Sequence, residues 1–537
     1  MNELITPLDW AIIGVYLAAL IGLSAWLSRR QHSRGDYYVA GRHTGPWPIA
    51  ISILATQCST NSILGAPAFV AFAAGGGLIW LQYELAVPIA MIFIMVFLLP
   101  LFRTLSLISV YEYLERRFDL STRLLLSGVF QFVRAFATAV TVYSISLVIE
   151  LISGLSFFWS VVLLGVITVV YDILGGIRAV IYSDVIQMVI LVAVLLALFA
   201  LLLSQVGGFE QLFSQLPEDR RTAVDFSHHG LGDGKDFAFW PMLFGGILLY
   251  VSYYGCDQSQ VQRELCARNV DDGNRALLIN GLLRFPLVLL YCLIGAGLAV
   301  YASGTPEFIS ALPTSGDAPN YNLAVPLYML QQLPAGVVGI ALVALFAAAM
   351  SSLDSVINSL SATTMEDFVR RFHRGETWSD SRELIYARSL TALWGVVTLV
   401  LAFYVDDIAD TVLVAINKIG SLINGPVLAV FALGILTKRC NGLGAKVGLI
   451  AGFALNLYCW QNLPELSWLW WNVFGALATV VVGLGVSLIS TRPAQDLAAL
   501  VWTRERYLRF GFKINWPPRY AALVLYFLAL LFVLVQF

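Results

Sequence analysis

Four polar side chains, Ser351, Ser352, Asp354 and Ser355, crowd the middle of a largely apolar segment. Residues 344–359 read Ala-Leu-Phe-Ala-Ala-Ala-Met-Ser-Ser-Leu-Asp-Ser-Val-Ile-Asn-Ser. On a helix, Ser351 and Ser355 are spaced i,i+4, and Ser351 and Asp354 i,i+3, so the three share one side. Ser352 lies about 100° further round, one turn after Ala348. Hydroxyls and a carboxylate are hard oxygen donors, which suit a small bare cation such as sodium better than a soft transition metal. A carboxylate at membrane depth is costly unless it is paired or ion-bound. The plain alternative for Asp354 is a carboxylate hydrogen-bonded to neighbouring hydroxyls for structure alone.

The elements that must position these groups are helices in a bilayer. Of 537 residues, 59% are hydrophobic and 12% charged, about half the roughly 25% charged share of a soluble domain. Apolar runs lie near 9–28, 47–73, 77–100, 124–150, 156–175, 180–205, 237–262, 274–301, 330–360, 386–404, 409–436, 444–461, 466–490 and 519–536. That makes about fourteen spans of the ~17–25 residues that cross a membrane. They are too long, and alternate too little, for outer-membrane strands. The first run does not read as a removable leader, because an acidic, cation-free segment precedes it and Arg29-Arg30 ends it.

Arg and Lys concentrate in alternate loops, with Arg29, Arg30, Arg34 and Arg42 in one, Arg103, Arg116, Arg117 and Arg123 in the next, and Arg370, Arg371 and Arg374 further on. The positive-inside bias then predicts both termini outside, given an even number of spans. Segment 206–236 carries Arg220, Arg221 and Lys235 among several acids and is read as an external loop. The six cysteines have no close paired spacing, which points to buried structural thiols rather than a metal or disulfide scaffold. No phosphate-binding loop of the G-x-x-x-x-G-K-[ST] type is present, so ATP is not the expected driver. A net charge of −2 gives no reason to expect nucleic acid as a partner.

Three runs look interrupted: the second, the seventh and the eleventh, the last at Asn424-Gly-Pro426. The second is polar at almost every position from Thr56 to Ser62, including Gln57, Cys58 and Asn61, before Gly65 and Pro67. A helix unwound at mid-membrane frees carbonyls for an ion and donors for a solute. The bland reading is a polar packing face, for which Gln57 and Asn61 are large. The seventh has Gly255 followed by Asp257 and Gln258, and Gln262 and Arg263 approach the inner rim, where an ion pair or snorkelling suffices. Asp184 falls about one turn into the sixth run, where it favours the positive helix end or attracts a cation. Gly175-Gly176 makes the turn before it.

Intramembrane cations Arg134, Arg284 and Lys418, the last beside Asn417, each demand a partner. The arginines suit an anionic solute bidentately, or pair structurally with Asp257 or Glu84. Gln82 and Glu84 are placed to line an outer vestibule, and Tyr83 or Tyr143 to stack on a small organic molecule.

These residues resemble the sodium:solute symporter family over about residues 5–460. The likeness rests on the polar second helix through Gly65, Val110-Tyr-Glu-Tyr-Leu-Glu-Arg-Arg-Phe118, Gly175-Gly-Ile-Arg-Ala-Val-Ile-Tyr-Ser-Asp-Val-Ile-Gln187, Asp257-Gln258 with Val261-Gln-Arg263, and Ser351-Ser352. The resemblance implies an all-α polytopic membrane protein with a LeuT-like inverted repeat. An extra N-terminal span and cytoplasmic loop occupy 1–46, the two five-helix repeats 47–205 and 237–436 flank the external loop, and C-terminal spans fill 437–537. It also implies a sodium site made of carbonyls of Ala55, Cys58 and Ala348 with hydroxyls of Ser351 and Ser352. A second cation site at Asp184, Asp354 and Ser355 is implied as possible, Asp354 standing where the family often has a hydroxyl or small residue. Solute positions carried over are Gln57, Asn61, Ser62, Gln82, Glu84, Arg134, Asp257, Arg284 and Asn417. Arg284 and Glu84 resemble residues of sugar carriers. Arg134 resembles the arginine that sialic-acid-type carriers present to a carboxylate, and an acid solute is preferred.

The expected function is therefore a sodium-coupled symporter in a plasma membrane, such as a bacterial inner membrane, importing a small organic solute without a chemical step. Sodium-coupled sugar or polyol transport is the first alternative. Proton coupling, a channel and a solute-sensing membrane protein are the others.

Overall fold

The computed structural model describes every residue except 1–4, 30, 316–317, 374–377, 406–411, 491–496 and 537. Two loop cations of the orientation argument, Arg30 and Arg374, therefore lie outside the described residues. Within them the chain is helical, apart from one two-residue antiparallel pairing of Thr314–Ser315 with Ala318–Pro319 and two isolated bridges.

Sixteen helices carry the architecture, in chain order α1 (Pro7–Ser28), α2 (Pro46–Gln57), α3 (Thr60–Phe72), α4 (Leu78–Thr104), α5 (Leu120–Ser153), α6 (Phe157–Val206), α7 (Phe239–Cys256), α8 (Gln258–Leu265), α9 (Val270–Gly304), α10 (Val337–Phe372), α11 (Asp380–Ala402), α12 (Val412–Ser421), α13 (Asn424–Leu436), α14 (Gly442–Asn462), α15 (Trp470–Ile489) and α16 (Pro517–Leu534). Their starts follow local chemistry. Thr6 and Asp9 form a reciprocal capping box at α1, Asp119 accepts from the Thr122 amide at 2.7 Å to cap α5, and Asn269 caps α9.

Among the described residues, eleven of these helices and the stretch Asn417–Leu436 across α12 and α13 are long and apolar enough to span a membrane, and α2 with α3, bent by 56°, makes a thirteenth span. The count reaches fourteen because α6 is two spans. A straight helix of 50 residues would be ~75 Å long, over twice the ~30 Å hydrocarbon core. The Tyr171 hydroxyl meets the Ser183 hydroxyl twelve residues on, a pair a straight helix would hold ~18 Å apart. The reversal sits at Gly176, with φ 55° and ψ −173°. A side chain there would strain the backbone and put its Cβ 2.7 Å from the Tyr37 ring. The second half resumes directly after Gly176, earlier than the expected start at 180. Asp184 is consequently two turns in rather than one, too deep for the helix-end reading.

Burial separates the centre from the rim. The spanning window of α10 is 83% buried, against 22% for α1 and α11 and 11% for α16. The hydroxyl-bearing helix is thus enclosed by protein, and the lipid-facing surface is supplied by others. On the segment 206–236, Arg220 donates to the Val70 carbonyl at 2.9 Å and the Ala73 carbonyl at 3.3 Å, satisfying the end of α3. All six cysteines are free and buried, as structural thiols would be.

Replacing Gly176 by Ala should cost about 1–3 kcal/mol from the left-handed backbone alone, and more from the Tyr37 contact. Gly128, whose Cβ would meet nothing within 4 Å, is the control. Thermal unfolding in detergent should show a clearly lower midpoint for Gly176→Ala and no loss for Gly128→Ala.

Candidate functional site

The break between α2 and α3 determines the site. Cys58 leaves the helix at φ −82° and ψ 56°, and Ser59 is extended at φ −69° and ψ 170°. The last carbonyls of α2 then lack their next-turn donors. Hydroxyls of α10 meet them. Ser351 Oγ donates within 3.1 Å of both the Ala55 and Ala348 carbonyls, and Ser352 Oγ lies 3.0 Å from the Thr56 carbonyl and 3.3 Å from that of Ala348. Five oxygens from two helices converge, and the Thr56 carbonyl was not among those expected. Cys58 turns its thiol toward the cavity arginine, accepting from Arg284 Nη1 at 3.2 Å. The donor set is all oxygen and uncharged, which fits a monovalent hard cation.

One turn away on α10 lies a charged cluster. Ser52 Oγ donates to Asp184 Oδ2 at 2.5 Å, and the Arg263 guanidinium stands 3.7 Å from the same oxygen. Arg263 also donates to Ser52 Oγ at 2.7 Å, to the Ser259 carbonyl and to Ser355 Oγ. Ser355 lies 3.2 Å from Asp354 Oδ1 and 3.0 Å from Thr56 Oγ1. Arg263 is wholly buried, so the snorkelling reading is replaced by an ion pair. Asp184 Oδ1 and Asp354 Oδ2 have no hydrogen-bond partner among the described residues.

Beside the break is a cavity of about 170 Å³. Gln57, Asn61, Ser62, Glu84, Arg134, Arg284 and Asn417 line it. Asn61 donates to Thr141 Oγ1 at 2.8 Å and Ser62 to the Gln57 carbonyl at 3.1 Å, while the amide oxygens of Gln57 and Asn61 have no donor among the described residues. Two expected residues fall elsewhere. Gln82 is fully buried outside the cavity wall, donating to the Phe237 carbonyl at 3.0 Å and accepting from the Asp225 amide at 3.1 Å, because segment 206–236 folds onto it. Asp257 lines a smaller cavity of about 30 Å³ on the far side of Arg134. Tyr143 packs against Phe157 instead of the cavity, whereas Tyr83 does line it. Lys418 reaches the Trp471 ring, 6.0 Å from its centroid.

Both cavity arginines are compensated. Arg284 Nε donates to Glu84 Oε2 at 3.0 Å, and Tyr250 donates to Glu84 Oε1 at 3.0 Å. Arg134 Nε meets Asp257 Oδ2 at 2.5 Å, and its guanidinium carbon lies 4.7 Å from the Tyr253 ring centroid. Missed from the sequence were Thr138, Thr141, Tyr250 and Tyr291. The i,i+4 and i,i+7 spacing of Thr138 and Thr141 from Arg134 was the available signal for two of them.

Glu84→Gln leaves the Arg284 charge buried without its carboxylate, which should cost roughly 3–5 kcal/mol. A thermal-unfolding series in detergent should show this loss, with Glu84→Gln/Arg284→Gln recovering part of it.

The model of the sodium:solute symporter family matches residues 37–452 of the chain. A sodium/sialic acid symporter of Aliivibrio fischeri (strain ATCC 700601 / ES114) is 30% identical over 486 residues, covering 89% of this chain and 92% of the relative. A sodium-dependent multivitamin transporter of Oryctolagus cuniculus is 27% identical over 547 residues, covering 90% and 82%. Among solved structures, a sodium-coupled sialic acid symporter in a substrate-bound, outward-open state superposes with a TM-score of 0.81 at 25% identity, covering 91% of this chain and 99% of the other. With a broken helix facing paired hydroxyls in an all-helical membrane bundle, the chain belongs to the sodium:solute symporter family and is a sodium-coupled secondary transporter of a small solute.

Proposed function

We propose that this transporter imports a small hydroxylated carboxylate with sodium. Arg134 carries the reading. Asp257 and Tyr253 hold the guanidinium on two sides, it lines the cavity, and among the described residues no bond holds its two terminal nitrogens. A planar fork of that kind matches a carboxylate. The Glu84, Arg284 and Tyr250 cluster on the opposite wall favours hydroxyls on the same solute. That cluster also supports the second reading, a neutral sugar or polyol. The sialic acid relatives agree with an acid, and the multivitamin relative shows how far solutes diverge at similar identity.

In this reading sodium is held by the oxygens of Ala55, Thr56, Ala348, Ser351 and Ser352, with Cys58, turned out of the ladder at the break, supplying a further carbonyl. Asp184, Asp354 and Ser355 form the candidate second cation site, with Arg263 supplying part of the compensation. Residues 47–205 and 237–436 are the two repeats, α1 and α14–α16 are additions, and both termini face outside a plasma membrane of the bacterial inner type. Sodium joins α2 to α10 and so fixes the wall that carries Gln57, Asn61 and Ser62. Each ligand then raises the affinity of the other by the same factor. An inward-negative potential adds ~2.3 kcal/mol per charge per 100 mV.

The test is uptake into proteoliposomes, driven by a sodium gradient, across labelled hydroxy acids (sialic acid among them), sugars and amino acids. Saturable, sodium-stimulated uptake of an acid is expected, and accepted solutes with no sodium stimulation would contradict the reading. Arg134→Ala should raise KM for the acid about 10–100-fold, the worth of a charge-assisted contact. Ser351→Ala with Ser352→Ala should raise the half-saturating sodium concentration at least tenfold or abolish coupling. Unchanged sodium dependence in that variant would remove the assignment.

A further inference from the structure

We propose that the Arg134–Asp257 ion pair is a gate between the solute cavity and the smaller inner cavity, and that an anionic solute opens it by taking the guanidinium from Asp257. The solute's part in this deepens the carboxylate reading above and rests on it.

The two cavities share a wall made of Val133, Arg134 and Asn424. Residues 133–141 of α5 face the larger one, whereas Leu126, Val129 and Phe130 face the smaller. The smaller cavity therefore lies toward the Leu120 end of α5, beside the arginine-rich loop 103–123 that the charge bias places inside. On α7 the order is the same. Leu249, Tyr250 and Tyr253 line the large cavity, and Ser252, Cys256 and, just past the helix end, Asp257 the small one. The ion pair stands where one space gives way to the other. Its side chains are 16% and 14% exposed although the neighbouring Cys256 and Gln258 are fully buried, as expected of groups bordering open space. At about 30 Å³ the inner cavity has room for water and not for an organic solute. A solute leaving inward must therefore part the pair.

The two partners are not equally free to move. Asp257 Oδ1 caps α8, accepting from the Ser259 amide at 2.8 Å and the Ser259 hydroxyl at 2.5 Å. Only Oδ2 reaches Arg134. The carboxylate is tied to the helix break, and the arginine, on its long side chain, is the half that swings. A solute carboxylate offers both oxygens to the fork where Asp257 offers one. It also keeps the guanidinium compensated throughout, which a neutral solute cannot do. The gate thus selects for anions at release as well as at binding.

Cys256 reports the opening, since it lines the inner cavity and is buried. Intact cells expressing the full chain would be treated from outside with a membrane-impermeant methanethiosulfonate, and the Cys256 peptide quantified by mass spectrometry. Slow labelling is expected in the wild type, at least tenfold faster labelling in Asp257→Asn and in Arg134→Gln, and a return to slow labelling in Asp257→Glu. Cys440, buried beyond α13, should keep its wild-type rate and so separates gate opening from unfolding. Wild-type labelling rates at Cys256 in both Asp257→Asn and Arg134→Gln would overturn the gate. In inside-out vesicles, where the reagent meets the inner cavity first, sialic acid supplied with sodium in the lumen should speed Cys256 labelling in the wild type. If no hydroxy acid from the uptake series does so while Asp257→Asn opens the path, the solute's part is overturned together with the carboxylate reading, and the ion-pair gate stands.

Discussion

Backbone carbonyls inside a membrane must find partners, and the interruption between α2 and α3 removes several of them from the helical ladder. This constraint organises the molecule. The freed carbonyls of Ala55 and Thr56 meet Ser351 and Ser352 on α10, so the helix that carries these hydroxyls has to be enclosed by protein. On one side of the break, Arg220 of segment 206–236 satisfies the far end of α3. On the other, Ser52 of α2 is held by Asp184 and Arg263. The interrupted helix is supported on both sides of the gap.

The same gap shapes the solute cavity. Gln57, Asn61 and Ser62 project from the residues that flank it, so whatever sets the geometry of the break also sets that wall. Arg284 adds a direct connection, binding Glu84 in the cavity and Cys58 at the break. Every arginine at this depth has a carboxylate beside it: Arg134 has Asp257, Arg263 has Asp184 and Arg284 has Glu84. Local compensation is what allows charge at membrane depth without a large cost in stability, since breaking a buried pair costs far more than keeping it.

Much of this was legible in residue order, because membrane spans announce themselves by length and apolarity and because polar groups at that depth need a reason. The break at Thr56–Ser62, the turn at Gly175-Gly176, the interruption at Asp257 and the candidacy of Asp257 and Glu84 as partners of Arg134 and Arg284 all emerged that way, while which acid meets which arginine did not. What escaped were contacts decided by three-dimensional approach. Nothing in the spacing of Gln82 shows that a loop more than 140 residues later folds onto it. The burial of Arg263 depends on α8 descending between α2, α6 and α10, so the side chain cannot reach the rim it seemed close to. The Thr56 carbonyl is invisible to any reading of side chains, since only the angle of the break aims it at Ser352.

The central claim is that one structural element serves both ligands, the ion through its carbonyls and the solute through its side chains. Reciprocal binding measurements on purified protein test this most directly, with the solute dissociation constant taken with and without sodium, and the sodium constant with and without solute. The account predicts that both fall on adding the other ligand, by the same factor of ten or more, and that Ser351→Ala with Ser352→Ala removes the effect. A solute affinity independent of sodium in the wild type would contradict it.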